Sequence, residues 1–256
     1  MKSALLVVLV LVCTGEPAAI GFGQTPKYEV ASIKPSSTNR ENGGPMRWSP
    51  GGRFTASGAK LKELIQLAYE AQDFQISGGP DWIESERYDI VAVPDREVPF
   101  SPANAGTMYT MLQMLLADRF QLKLHREMRE MQVYTLVVGK SGPKLQQAQA
   151  ADGSNWEIKY QRNPREFTAI NTPLDIFAKA LLQELNRTVI DKTALKGYFD
   201  FTLKWSPEVP ANAPPAADRA PSIFTAIQEQ LGLKLESARG AVEVLIIDHV
   251  ERPTAN

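Results

Sequence analysis

This sequence predicts an α+β fold built from two duplicated units, with helices packed on small mixed or antiparallel sheets. Three observations carry that expectation. "RFTASGAKLKELI" (53–65) aligns without gaps on "EFTAINTPLDIFA" (166–178), so that Phe54, Thr55, Ala56 and Leu61 meet Phe167, Thr168, Ala169 and Leu174 at a shift of 113. At a shift of 111, "YDIVAV" (88–93) falls on "FDFTLK" (199–204), Glu97-Val98-Pro99 on Glu208-Val209-Pro210, and Leu122-Lys123-Leu124 on Leu233-Lys234-Leu235. Strand-like and helix-like apolar periods then follow one another in the same order in both copies, β-α-β-β-α-β-β.

Each copy opens with a short β-type stretch, at Phe54 and at Phe167. A helix follows, carrying Leu61, Leu64, Ile65 and Ala68 on one face in the first copy and Leu174, Phe177, Ala178 and Leu181 in the second. Thr172 is the expected cap of the second of these, with Pro173 in its first turn, where a missing N–H costs nothing. Strands are expected at Phe74–Ser77 and Tyr88–Val93, matched by Thr188–Ile190 and Phe199–Trp205. Pro94, Pro99 and Pro102, and Pro207, Pro210, Pro214 and Pro215, mark exposed connections, because proline cannot continue a strand ladder. The second helix holds Leu112, Leu115 and Leu116, or Ile223 and Ile227.

After that helix Gly232 suits a left-handed end. Leu233 and Leu235 alternate with Lys234, and a short turn is expected before a last strand at Val133–Val138 or Val242–Asp248. "KYEVASIKPSS" (27–37) reads as an additional strand bridging the copies. The expected organisation is a signal peptide at 1–23, an N-terminal strand and polar loop at 24–50, a first repeat at 51–150 and a second at 151–256.

The export reading rests on Lys2, the apolar run Ala4–Val12 and the small residues Gly21 and Gly23 before Gln24. The apolar run is too short to span a bilayer, so no membrane span is expected after cleavage. Cys13, the only cysteine, follows Val12 where a lipoprotein signal wants a small residue, so a lipid anchor is not expected. The mature chain is then free of cysteine, and its place is the periplasm or the exterior. Its net charge stays at -1, because Lys2 and Glu16 leave together. That balance gives no global field for nucleic acid.

Few residues point to chemistry. His125 and His249, the only histidines, do not coincide under the repeat shifts, and without cysteine they make a poor metal set. "HREMRE" (125–130) has Arg129 where a zinc-protease helix needs its second histidine. "SGAK" (57–60) and "SGPK" (141–144) have Ser-x-x-Lys spacing but lack the companion motifs of penicillin-recognising enzymes. "ISGGPDW" (76–82) reads as a tight turn anchored by Trp82, although paired glycines can also present N–H groups to an anion. Trp48, Trp82, Trp156 and Trp205 are core or sheet-face anchors by default and could line a ligand groove. No catalytic residue, cofactor or metal is assigned. Asp81, Trp82, His125 and His249 stand as the candidate surface for a ligand or partner.

"YEVASIKPS", "ISGGPDW", "LLADRFQLKLHRE", "VIDKTALKGYFDFTLKW" and "FTAIQEQLGLKLESARGAVEVLIIDHVERPT" resemble the exported "soil-associated" family expanded in Acidobacteria, a catalogued domain of unknown function. The resemblance covers nearly all of the mature chain. Related domains attached to membrane metallopeptidase sensors imply sensing, and the family supplies no catalytic residue to carry over. In element order each copy is also similar to the short N-terminal domain of secretins and TonB-dependent receptors, a periplasmic docking module. The expectation is an exported, non-catalytic binding, docking or sensing module of the cell envelope, whose partner is an envelope protein or small ligand. A hydrolase or carbohydrate-active enzyme with its site between the repeats is the alternative, and a structural envelope component a third.

Overall fold

The computed structural model describes residues 25–37, 44–99, 101, 104–148, 157–162, 165–207 and 220–253. The expected signal segment with Cys13, Trp156 and Pro102, Pro210, Pro214 and Pro215 lie outside them. Among the described residues, three four-stranded sheets and five α-helices give the α+β fold.

In the first half, β1 (Tyr28–Pro35), β2 (Met46–Trp48), β3 (Phe54–Lys60) and β5 (Arg87–Pro94) form an antiparallel sheet in the order β1-β5-β3-β2. In the second half, β7 (Gln146–Gln147), β8 (Glu157–Arg162), β9 (Arg165–Thr172) and β11 (Phe199–Trp205) pair in the order β7-β11-β9-β8. The registers agree as well: Phe54 stands opposite Ala92 and Ala56 opposite Ile90, while Phe167 stands opposite Leu203 and Ala169 opposite Phe201. Each sheet has an irregularity at the end of its helix-entering strand. There the Gly58 N–H donates to Asp89 Oδ1 at 2.8 Å, and the Asn171 N–H donates to Asp200 Oδ1 at 2.6 Å. Gly58 and Asn171 are both left-handed, with φ of 59° and 48°.

The third sheet joins the halves. β6 (Lys123–Val138) and β12 (Leu233–His249) run antiparallel along their whole length, with Glu130 opposite Ala241 midway. On the outer edges, β4 (Ile76–Gly78) pairs in parallel with β12, and β10 (Val189–Asp191) pairs in parallel with β6. Each short strand therefore takes its partner from the other half of the chain.

The helices cover the two ends of this arrangement. α1 (Leu61–Tyr69) buries Leu61, Leu64, Ile65 and Ala68, and α3 (Ala105–Arg119) buries Leu112, Leu115 and Leu116, the faces that their spacing predicts. The one-turn α2 (Trp82–Ser85) follows β4. These elements enclose a core with Phe54 and Ile90 that also takes in Leu245 and Ile247 from β12. α4 (Leu174–Leu185) and α5 (Ile223–Leu231) form the second core with Phe167, Leu203, Leu233 and Leu235, and Leu136 of β6 reaches into it. At about 1.5–3 kcal/mol per buried large apolar side chain, the long strands contribute materially to both cores.

Several local expectations are corrected. No turn interrupts the stretch after α3 or α5, because the polar runs at 125–132 and 236–241 lie between the two cores, where both strands are wet and still paired. β1 pairs with β5 and does not bridge the halves. Thr172 does not cap α4: it ends β9, and its hydroxyl donates to the carbonyls of Glu157 and Ile170, leaving Pro173 at the N-cap. Asp73–Gln75 is a turn of 3-10 helix, so the strand begins only at Ile76. Gly232 does end α5 in the left-handed region, at φ 65°. Gln121 adopts the same conformation after α3, at φ 50°.

Candidate functional site

Amphipathic helices that bury one stripe leave the opposite stripe free to face a ligand. Beside its buried leucines α1 presents half-buried Glu63, Gln66 and Leu67 and, at its C-cap, exposed Glu70, and α4 presents exposed Lys179 and Gln183 with half-buried Leu182. These stripes line a common cleft of about 660 Å³, which Ala71, Gln72 and Asp73 extend and Met46 and Tyr109 close. Its apolar parts come from Leu67, Ala71, Leu182 and Met46, and its polar parts are amides, carboxylates and one ammonium. This cleft contains residues of both halves.

The acidic groups have structural duties. Glu63 Oε2 accepts the Lys60 N–H at 2.9 Å and so holds the start of α1. Asp73 and Glu84 each lie 2.7 Å from the Lys62 ammonium. Burial works against charge on Lys62, but the hydrogen bonds and charges of those two carboxylates outweigh it and raise its pKa. Glu70 sits in a left-handed conformation at the end of α1, and its charge adds to the burial that pushes the Tyr109 phenol up. Such a cleft offers hydrogen bonds of both senses along an apolar floor. Two of its carboxylates, Glu63 and Asp73, are thus held in a helix cap and an ion pair. Among the described residues no group of three or more His, Cys, Asp or Glu is placed to hold a metal ion.

The four residues expected from sequence lie elsewhere, toward one end of the third sheet. His125 Nδ1 meets Asp248 Oδ1 at 2.8 Å, and His249 Nε2 meets Glu251 Oε1 at 2.9 Å. Both imidazoles are about half exposed, at 55% and 47%, and belong to separate surface pairs. Trp82 lies beneath the Arg252 guanidinium, 5.1 Å from its ring centroid. Arg252 also grips Glu86 with two nitrogens, at 3.0 and 2.7 Å, and the Tyr88 hydroxyl donates to the same carboxylate at 2.9 Å. The Arg252 hydrogen bonds hold the Glu86 carboxyl below its usual range. Trp82 thus helps fasten the C-terminal segment. The carbonyl of Asp81 accepts the Ser85 hydroxyl at 3.2 Å within the same turn of helix. These contacts bring Trp82 to the C-terminal segment that also carries His249.

Sequence reasoning missed Gln66, Glu70, Lys179 and Gln183. A signal was present. The shift of 113 that aligns the two helices places Gln66 on Lys179 and Glu70 on Gln183, so the outward stripes of one matched element pair were already identified.

The sequence profile of a family described as a protein of unknown function, DUF3738, matches residues 62–250. No curated protein and no solved structure matches the chain.

Proposed function

The chain belongs to the DUF3738 family of proteins of unknown function, and from that premise we propose that it is an exported binding, docking or sensing module of the cell envelope. The observation that carries this reading is the cleft between α1 and α4, where amides and an ammonium line an apolar floor while Glu63 and Asp73 are held by structural bonds. Strand addition at an open edge is the weaker mode. β2, β4, β7 and β10 are at most three residues long, and the longer edges β1 and β8 carry exposed charges, Glu29 and Lys34 on β1 and Glu157, Lys159 and Arg162 on β8, that discourage edge pairing. The apolar start of the sequence and its resemblance to exported soil-associated proteins support the envelope placement.

We also infer that the halves are copies of one unit. Matching sheet order, matching register and the paired bonds Gly58–Asp89 and Asn171–Asp200 support it, since each falls on its counterpart at the shifts of 113 and 111. The second sheet then takes β7 from just before the expected repeat boundary at 150, as the first takes β1 and β2 from the segment at 24–50.

A catalytic reading draws on Glu63, Glu70 and Asp73 lining one cleft between the repeats. The two readings separate in one experiment. Residues 24–256 are used in a pull-down from an envelope fraction and in a thermal-shift screen of small ligands, beside a Glu70→Lys, Gln183→Lys double variant. The expected outcome is a partner or stabilising ligand retained by the natural chain and lost by the variant. Turnover of a glycoside or ester substrate that Glu70→Gln abolishes would overturn the binding reading.

A further inference from the structure

A second cavity, of about 350 Å³, opens at the end of the second core, away from the α1–α4 cleft. Cross-strand register sets Arg165 of β9 directly opposite Trp205 of β11, on the face that Phe167 and Leu203 bury. Glu184 and Leu185 come from the last turn of α4, Ile223 and Phe224 from the first turn of α5, and Tyr134 from β6. Tyr134 and Phe224 meet edge to face at 5.3 Å, and the Arg187 guanidinium covers the Tyr134 ring at 4.7 Å. Arg165 Nη1 donates to Glu184 Oε2 at 2.6 Å. The Glu184 side chain is only 11% exposed and that of Arg165 33%. The Tyr160 hydroxyl also bonds Glu184, which, after burial, raises the phenol's pKa.

We propose that this cavity binds a neutral saccharide unit. Half-buried Phe224 and the free part of Tyr134 offer apolar surface to the C–H face of a sugar ring, with Trp205 and Ile223 buried behind them, and a few fixed polar groups suit its hydroxyls. The polar groups here are a donor and an acceptor side by side. Arg165 has five N–H donors, and Glu184 has about four acceptor sites of which Arg165 and Tyr160 take two, so each keeps capacity beyond these bonds. A hydroxyl both donates and accepts, and can bridge the two without parting them. A charged ligand cannot do so. An anion beside Arg165 would also lie against the Glu184 carboxylate, which is only 11% exposed, and a cation beside Glu184 would lie against the Arg165 guanidinium, so either meets a like charge in the site. The charges that line the cavity cancel, and that cancellation selects against acidic and amino sugars. The volume lies at the small end of ligand pockets, which run from about 300 to 1,000 Å³, so one or two rings are accommodated.

The test is a nitrogen-15 NMR titration of residues 24–256 with glucose, N-acetylglucosamine, glucosamine and glucuronate. Neutral sugars should shift the Trp205 indole and the amides of Tyr134 and Phe224, with a Kd of roughly millimolar order. Glucosamine and glucuronate should bind at least about tenfold more weakly. Phe224→Ala removes a wall without touching the ion pair, and Glu184→Gln removes the charge while keeping the shape. Each should weaken neutral-sugar binding by about tenfold or more. Equal or tighter binding of a charged sugar overturns the proposal. So does an absence of shifts at these residues, or natural affinity in both variants.

Discussion

At the scale of single residues, the chain repeats its backbone solutions with different side chains. After α3 a left-handed position is filled by Gln121, and after α5 by Gly232. The glycine was legible in the sequence because its conformation is cheap only without a Cβ. Nothing about a glutamine announces the same geometry; its side chain helps by donating to the Asp118 carbonyl at 2.7 Å. The two positions differ in surroundings as well. A Cβ on Gly232 would sit 2.0 Å from the Gly142 carbonyl oxygen. Gly232→Ala should therefore cost about 1–3 kcal/mol for the conformation alone, and more for displacing that carbonyl. Urea unfolding should show a lower midpoint at unchanged slope, whereas an unchanged midpoint would mean that this turn has room to relax.

At the scale of elements, the amphipathic helices and the strands β5 and β11 were readable because their apolar periods are local. The two long strands were not. Their polar middles look like turns, since a sequence window cannot know that helices cover a strand at its ends and leave its centre in water. Nor could it say which core each end would enter. Leu136 belongs by sequence to the first half and packs, fully buried, with Phe177, Leu181 and Ile227 of the second. Leu136→Ala should destabilise the protein by about 2–5 kcal/mol, the usual range for truncating a buried leucine. Hydrogen exchange should then quicken in α4 and α5 more than in α1 and α3. The reverse pattern would contradict the assignment of this residue to the second core. The α1–α4 cleft was hidden for a related reason: its walls are identifiable as outward stripes, but their meeting depends on how the halves are joined.

At the scale of the whole molecule, the join is the third sheet. β4 has no strand neighbour except β12, and β10 none except β6, among the described residues. The first core also lacks Leu245 and Ile247 unless the second half is present. Separate chains of residues 24–140 and 141–256 should each be largely unfolded by circular dichroism. Mixed in equal amounts, they should recover the native spectrum. A fragment that folds alone would show that its own sheet and helices suffice. Such non-local pairing also raises contact order and slows folding relative to a protein built from two independent units.

The crossing of β6 and β12 bears on the proposed duplication. A chain holding only one such unit would end in a long strand with no mate, and its β4 counterpart would have nothing to pair with. Two identical chains could meet that need by lending each other the long strand, with a symmetry axis passing where Glu130 now faces Ala241. Such a pair would come apart on dilution. Joining the two units in one polypeptide fixes their effective concentration, so the intact fold persists at any dilution.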